Sequence, residues 1–443
     1  MANNEDKRIY LVRSTNEENN AFVGVRIRND SIEFHYPESY DLAGVDDVLT
    51  IKDIASFRRD MIDILHTISL AKTRSSAFQK TENGVSSAKN FTFMSYLWII
   101  RDYIINSFYR NNEKIYRHNA KGKINWKKTL NTQPIISNGN VIYNNLVVEI
   151  TNDCDSVITE AHKLCVYDSI RKAGWLFGIS EKAFYVPSPT ESLVKKYIRT
   201  INSEIKKTFD DVKKVRLSHM LKVLSGVDDS KQVAEIVYGV DKYHYIYERM
   251  VDAIFGNIIN IKEYNPNASW FIMRDEDSFE KREASALRPD TIRIDPYPRT
   301  YLVDDRTKTA YVLDAKYYRY GTTRKMEDLP ETTSIQKQVT YATHIEKNIK
   351  EKGKENISAI HNAFILPYNK NNNNLGRKEN LEYIGYSKAN WPKDSDENVI
   401  HAFLIDTKHL ISSWSQGNCK EDIDELIKDI NIYLSKHKTW TIV

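Results

Sequence analysis

The chain has 443 residues, 41% of them hydrophobic, 28% charged and 11% aromatic, with a net charge of +4. That length exceeds one ordinary core, so two domains are expected, and the composition excludes a disordered chain. No apolar run approaches the ~20 residues of a membrane span, and the mild charge confines any basic surface to local patches.

Residues 1–8 are polar and charged, with no apolar signal core, which predicts a cytoplasmic protein with no membrane partner. Residues 9–36 read as paired strands: Val23 to Arg28 alternates, Asn29-Asp30-Ser31 turns, and Ile32 to Tyr36 returns. Residues 52–71 follow as a helix with Ile54, Phe57, Met61, Ile64, Leu65 and Ile68 on one stripe, and 91–108 as a buried, aromatic-rich helix. Residues 101–130 hold eight Lys or Arg against Asp102 and Glu113, with Tyr103, Tyr109, Tyr116 and Trp126 interleaved. Such a segment either grips a nucleic-acid backbone through Lys121, Lys123, Trp126, Lys127 and Lys128, or forms a solvated or partner-docking face. Gly122-Lys123 is no phosphate-binding loop, because Arg117 stands where the first Gly belongs and Ile124 where Ser or Thr belongs.

Residues 191–224 read as one long helix or two joined helices, basic on the wet side. The break at 225–230 divides a front domain (1–225), for DNA recognition or partner docking, from a back domain (226–443). The back half reads as helix (231–256), strand (269–273), paired strands (287–317), helix (333–350), strands (359–366 and 398–405) and helix (421–436). That order predicts an α/β fold, a mixed central sheet flanked by helices, behind an α+β front domain. The five asparagines between Asn369 and Asn374 read as an exposed loop, and Asp295-Pro296-Tyr297-Pro298 as another. Cys154, Cys165 and Cys419 have no Cys-X-X-Cys spacing, and His162 alone completes no zinc set, so free buried thiols are expected.

The chemistry concentrates between Leu287 and Lys316. Pro289-Asp290 is followed, one hairpin later, by the apolar Tyr311-Val312-Leu313 running into Asp314-Ala315-Lys316. Phosphodiester hydrolysis needs an activated water, neutralised phosphate charge and help for the leaving oxygen, which hard divalent ions on carboxylates supply. Asp290 and Asp314 are the expected metal ligands, with the Ala315 carbonyl as a further one. Period-2 alternation puts Lys316 on the face of Asp314, where it would orient water or stabilise phosphorane charge. Glu248, on the preceding helix, is the expected third carboxylate; a surface pair with Arg249 or Lys242 is its alternative. The helix near 333 has Thr332, Thr333 or Ser334 as N-cap, and Gln336, Lys337 and Tyr341 are candidate phosphate or metal-water contacts.

Together these residues resemble the PD-(D/E)XK nuclease core, and the wider pattern resembles the LlaJI family of restriction endonucleases, related to McrC nuclease subunits. The pattern includes Phe22-Val23-Gly24-Val25, Gly122 to Thr129, Arg288-Pro289-Asp290-Thr291, Asp314-Ala315-Lys316-Tyr317-Tyr318, Ile335-Gln336-Lys337-Gln338 with Tyr341, Asn362 to Tyr368, and Leu404 to Lys408. The resemblance implies a restriction endonuclease cutting double-stranded DNA to leave a 5′-phosphate, in defence against foreign DNA. It implies Mg²⁺, two ions per site with Mn²⁺ able to substitute, and a cognate methyltransferase. A homodimer or an McrB-like NTPase partner is expected; the alternative is an McrC-like nuclease subunit, or a DNA-binding subunit, active only with such an NTPase. Ser334 stands where related nucleases often have Asp, and Lys337 where many have Gln, so metal binding by that helix does not carry over.

Overall fold

The computed structural model describes residues 8–15, 21–28, 31–46, 49–73, 87–137, 140–154, 156–179, 189–228, 235–258, 264, 266, 269–275, 278–283, 300–351, 353, 356–390, 398–417 and 420–437. The chain is mixed α/β and divides into two compact units, Met1–Ser87 with Ala234–Val443, and Ala88–Val233. The division does not follow a single cut near 225, because the first 87 residues fold with the C-terminal half.

Strand pairing explains this. β1 (Arg8–Ser14), β2 (Val23–Arg28) and β3 (Ser31–Pro37) form a sheet in the order β1-β3-β2-β9, whose last strand, β9, is Glu235–Val240. β1 runs parallel to β3, and β9 antiparallel to β2. The helix expected over 231–256 is therefore a strand followed by a shorter helix, α7 (Tyr243–Phe255). Ile236, Val237, Tyr238 and Val240 suit a pleated surface better than a helix. Gly24 faces Gly239 across the ladder. Gly24 has φ +149°, and a Cβ there would lie 2.2 Å from the Tyr238 carbonyl oxygen, so only glycine fits. α1 (Ile54–Thr73) covers this sheet with its apolar stripe: Phe57, Met61, Ile64, Leu65 and Ile68 are all fully buried.

The second half of this unit holds a five-stranded sheet in the order β12-β13-β14-β16-β15. β12 (Thr300–Asp304) pairs antiparallel with β13 (Thr309–Ala315), which runs parallel to β14 (Ala359–Tyr368). β16 (Val399–Asp406) is parallel to β14, and the edge strand β15 (Leu381–Lys388), not foreseen from the sequence, is antiparallel to it. β10 (Ser269–Asp275) and β11 (Ser278–Glu283) form a separate hairpin. The helix expected from 333 is Thr332–Ile345, continued by a π turn over Glu346–Lys350. Glu331, whose side chain makes no capping bond, precedes it, rather than Thr332, Thr333 or Ser334 acting as the cap. Helices Thr407–Gln416 and Lys420–His437 close the chain.

The other unit contains α2 (Ser87–Asn106), β4 (Asn111–His118), β5 (Lys123–Ile124), the single turn α3 (Trp126–Thr129), β6 (Ile135–Ser137), β7 (Asn140–Ile142), β8 (Val147–Cys154) and α4 (Val157–Ala173). Two joined helices, α5 (Glu191–Lys207) and α6 (Asp211–Asp228), complete it. α6 continues through the break expected at 225. α4, α5 and α6 pack together, and Arg216 makes a two-pronged bond to the buried Asp102 at 2.7 and 2.9 Å. Cys165 is a free buried thiol, as expected; burial pushes it up, so it is inert. His162 is buried, and its Nδ1 accepts from the Tyr109 N–H at 2.9 Å. Among the described residues no helix is long and apolar enough to cross a membrane.

One carboxylate ties distant segments of the larger unit together. Asp60 on α1, with a side chain 5% exposed, accepts from the Ala43 N–H at 2.6 Å and from Lys408 Nζ at 2.7 Å. Asp60→Ala leaves the Ala43 N–H unpaired and Lys408 with only its 3.3 Å bond to the Asp41 carbonyl, and should cost about 2–3 kcal/mol, less than a fully buried pair because Lys408 is partly solvated. A lowered urea midpoint at unchanged slope checks this.

Candidate active site

β13 is buried along its whole length, as a central strand covered on both faces must be. Asp314, its next-to-last residue, is only 3% exposed. A carboxylate that deep needs a partner, and Lys316 Nζ supplies one at 3.0 Å from Oδ2. The alternation expected from the sequence therefore holds for this pair. The Lys316 N–H donates to the Ile365 carbonyl at 2.9 Å, carrying the β13–β14 ladder one residue further. The Tyr318 N–H then reaches back to the Lys316 carbonyl at 2.8 Å, so the chain turns sharply just past the lysine.

The residues after Lys316 are clamped from three directions. Tyr317 packs edge-on to Tyr243 and tilted against Tyr247, ring centroids 5.7 and 5.4 Å apart. The Tyr247 hydroxyl donates to the Ile365 carbonyl at 3.2 Å, fastening α7 to the same stretch of β14. Arg319 binds both oxygens of Glu38, at 2.8 and 2.9 Å. Burial pushes the Tyr317 phenol above its ordinary range, and the Glu38 charge adds to it, while a hydrogen bond with Ser39 opposes. Ser39 in turn meets Thr407 hydroxyl to hydroxyl at 2.8 Å. Gly321 lets this segment press onto the end of β14, where a Cβ would lie 2.2 Å from the Pro367 carbonyl oxygen. The parallel strands β13, β14 and β16 thus end on one edge, carrying Asp314 and Lys316, the Asn369 loop, and Thr407 with Lys408. Such carboxyl-end edges are where open α/β sheets bind ligands.

The other expected site residues fall into separate groups. Asp290 lies outside the described residues, as does the Asp295 to Pro298 loop. Glu248 is half-buried on α7, the helix that packs on β12 and β13. Among the described residues no three Asp, Glu, His or Cys side chains are close enough to hold one metal ion, so Glu248 and Asp314 do not form such a set with a third described ligand. Ala315 is 7% exposed and closes the strand. Gln336 and Lys337 are exposed on the 332–345 helix, and Gln336 lines a shallow cleft of about 540 Å³ with His344 and Lys347. Neither Asp314 nor Lys316 lines that cleft. Tyr341 is half-buried and packs against the core around Tyr301 and Val312.

Gln338 was not singled out from the sequence as a site residue, yet it is the helix residue nearest the strand in bonding terms. It is fully buried, and Nε2 donates to the Val312 carbonyl at 2.6 Å, two residues before Asp314. Its i+4 spacing from Ser334, Ala342 and the other buried positions of the helix was the available signal.

Lys121, Lys123, Trp126, Lys127 and Lys128 lie together in the other unit, all exposed, with Trp126 57% accessible. The Asn125 side chain caps their helical turn by accepting from the Lys128 N–H at 3.1 Å, and Lys128 Nζ sits over the Tyr116 ring.

No curated protein matches the chain significantly in sequence. Among solved structures, a Thermococcus gammatolerans assembly of McrB AAA+ hexamers with bound McrC is 12% identical, over 89% of this chain and 82% of that one, with a TM-score of 0.33. A Thermococcus gammatolerans McrBC complex is also 12% identical, over 52% of this chain and 64% of that one, with a TM-score of 0.21. The family profile of the LlaJI restriction endonuclease matches residues 22–407, which include the whole neighbourhood of Asp314 and Lys316. The chain therefore belongs to the LlaJI restriction endonuclease family, a family of nucleases.

Proposed function

We propose that this protein is a PD-(D/E)XK nuclease that cuts double-stranded DNA by metal-dependent hydrolysis, as part of a restriction system against foreign DNA. The observation that carries the reading is the buried Asp314 paired with Lys316 at the carboxyl edge of a mixed sheet. A carboxylate held dry beside an amine is arranged to share its charge with a cation once substrate enters.

Asp314, the Ala315 carbonyl, Asp290 and Glu248 would hold Mg²⁺, with Mn²⁺ able to substitute and two ions as the expected complement. The hard oxygen donors of that set suit either ion. The metal, when bound, would supply a hydroxide-like water and neutralise phosphate charge. With the cation held by Asp314, Lys316 would be free to turn its amine to the attacking water or to the charge that builds on the phosphorus. Tyr317, wedged against α7, and Arg319, clasped by Glu38, keep the lysine's backbone from swinging away. Gln336, Lys337 and Tyr341 remain proposed contacts to the DNA backbone beside this site.

The other unit is proposed to meet DNA or a partner. Its basic cluster at Lys121, Lys123, Lys127 and Lys128 adjoins an exposed Trp126, and the β6–β7 hairpin leaves Ile135, Ile136, Val141 and Ile142 largely in solvent. Apolar side chains exposed on one hairpin commonly mark a docking surface. The proposed partner is an McrB-like NTPase, with a cognate methyltransferase protecting host DNA and a homodimer serving to cut both strands.

Cleavage assays test the reading. Purified protein with Mg²⁺ should cut plasmid DNA, lose the activity in EDTA and regain it with Mn²⁺. Asp314→Ala and Lys316→Ala should each slow cleavage at least about a hundredfold while leaving DNA binding intact; unimpaired cutting by Asp314→Ala would place the active site elsewhere. Adding the NTPase encoded beside the protein separates a self-sufficient enzyme from a subunit of a motor complex. Replacing Ile136 and Val141 by Ser should abolish any NTPase-stimulated cutting and leave the unstimulated rate unchanged.

A further inference from the structure

A cleft of about 150 Å³ opens at the same carboxyl edge, between the segment that follows β3 and the loop that follows β14. Glu38, which clasps Arg319, is part of its wall. The loop is held in shape by its own asparagines. Asn369 Oδ1 accepts from the N–H groups of Asn371 and Asn372, at 2.9 and 3.0 Å, and Asn373 Oδ1 from those of Leu375 and Arg377, at 3.0 and 3.2 Å. Asn371 Nδ2 donates to Asp41 Oδ2 at 2.8 Å, and Asn374 Nδ2 to the Thr322 carbonyl at 3.2 Å. Four of the five asparagines are thereby committed. Asn372 also lines the cleft, and its carboxamide has no hydrogen-bond partner among the described residues.

The charges around it select the ligand. Glu38 is taken by Arg319, and Asp46 pairs with Lys52 at 3.3 Å, whereas Asp41 gives one oxygen to Asn371 and keeps the other. With those two pairs set aside, the charges left in the lining are the Asp41 carboxylate and the guanidinium of Arg13, whose Nε is bonded to the Tyr36 hydroxyl at 2.9 Å. That near-balanced lining offers a phosphate no surplus of positive charge. A flat, neutral group with N–H donors beside a ring acceptor fits it: a carboxamide pairs with the amino group and ring nitrogen of adenine, and a carboxylate accepts from the amino group of cytosine. The space suits a few waters or one heterocycle. Base edges inside a duplex stack do not reach a concave wall, so the base must leave the stack.

We propose that this cleft takes one unstacked nucleobase bearing an exocyclic amino group, adenine or cytosine, read by Asn372 and Asp41. The proposal rests on the reading of the protein as acting on DNA, and it adds a specificity site to that reading.

The test is equilibrium binding by the full-length chain in EDTA, so that neither cleavage nor metal enters. Short fluorescent homopolymers of deoxyadenylate, deoxycytidylate and thymidylate are the probes. The wild type should bind the adenine or the cytosine homopolymer about tenfold more tightly than the thymine one. Asn372→Ala, at an exposed position whose side chain supports nothing, and Asp41→Asn, which can still accept from Asn371, should each remove that difference with thymidylate binding unchanged. Equal binding of all three by the wild type overturns the proposal. So does discrimination that survives both substitutions, or a parallel loss of thymidylate binding, which would mean a backbone grip. Cleavage in Mg²⁺ with and without Asp314→Ala judges the nuclease reading on its own, so either idea can fail while the other stands.

Discussion

Asp314 sits almost wholly out of water at the end of a strand whose every residue is buried. An ionised carboxylate there is tolerable only with a cation against it, and Lys316 is the one the backbone provides, two residues on and on the same face. Much of the neighbourhood follows from keeping that lysine in place. The ladder bond from its N–H to Ile365, the tight turn at Tyr318 and the glycine at 321 all fix the chain just past it.

A second layer of polar contacts carries the constraint outward. The segment after β3 is bonded through Glu38 to Arg319, through Ser39 to Thr407, and through the Ala43 N–H to Asp60, which also holds Lys408. Three of these bonds, Glu38–Arg319, Ser39–Thr407 and Asp60–Lys408, join residues hundreds of positions apart in the chain, and most of the side chains are shielded from solvent. Shielded polar groups tolerate few alternative arrangements, because an unmet donor or acceptor costs more than the bond contributes. The front sheet is thereby built into the unit that carries Asp314, which explains why the chain divides at 88 and 234 rather than once near 225.

The inserted unit of residues 88–233 has a different character. Its core is helical, with the Asp102–Arg216 pair inside, while its short strands expose apolar and basic side chains together. The hairpin leaves Ile135, Ile136, Val141 and Ile142 facing water, so these side chains contribute little to its own folding.

Local patterns were legible wherever one periodicity dominated. The stripe of α1, the apolar run of β13 into Asp314-Ala315-Lys316, the antiparallel β2–β3 pair and the parallel-strand segments of the back half all read correctly from residue order, because side-chain alternation and helical spacing are properties of the chain itself. The β9 strand did not, since its short run of Ile, Val and Tyr abuts a helix and its partner, β2, lies more than two hundred residues earlier. The edge strand β15 and the inward role of Gln338 were hidden for the same reason: both depend on what packs beside them. The asparagine run looked like featureless loop, although side-chain bonds to its own backbone give it a defined shape. Sequence by itself determined that Asp314 and Lys316 share one face, because residues two apart along an extended chain return to the same side. Tertiary structure alone decided that Glu38, Asn372 and Lys408 gather at that edge, because strands brought parallel by intervening chain end together wherever they lie in the sequence.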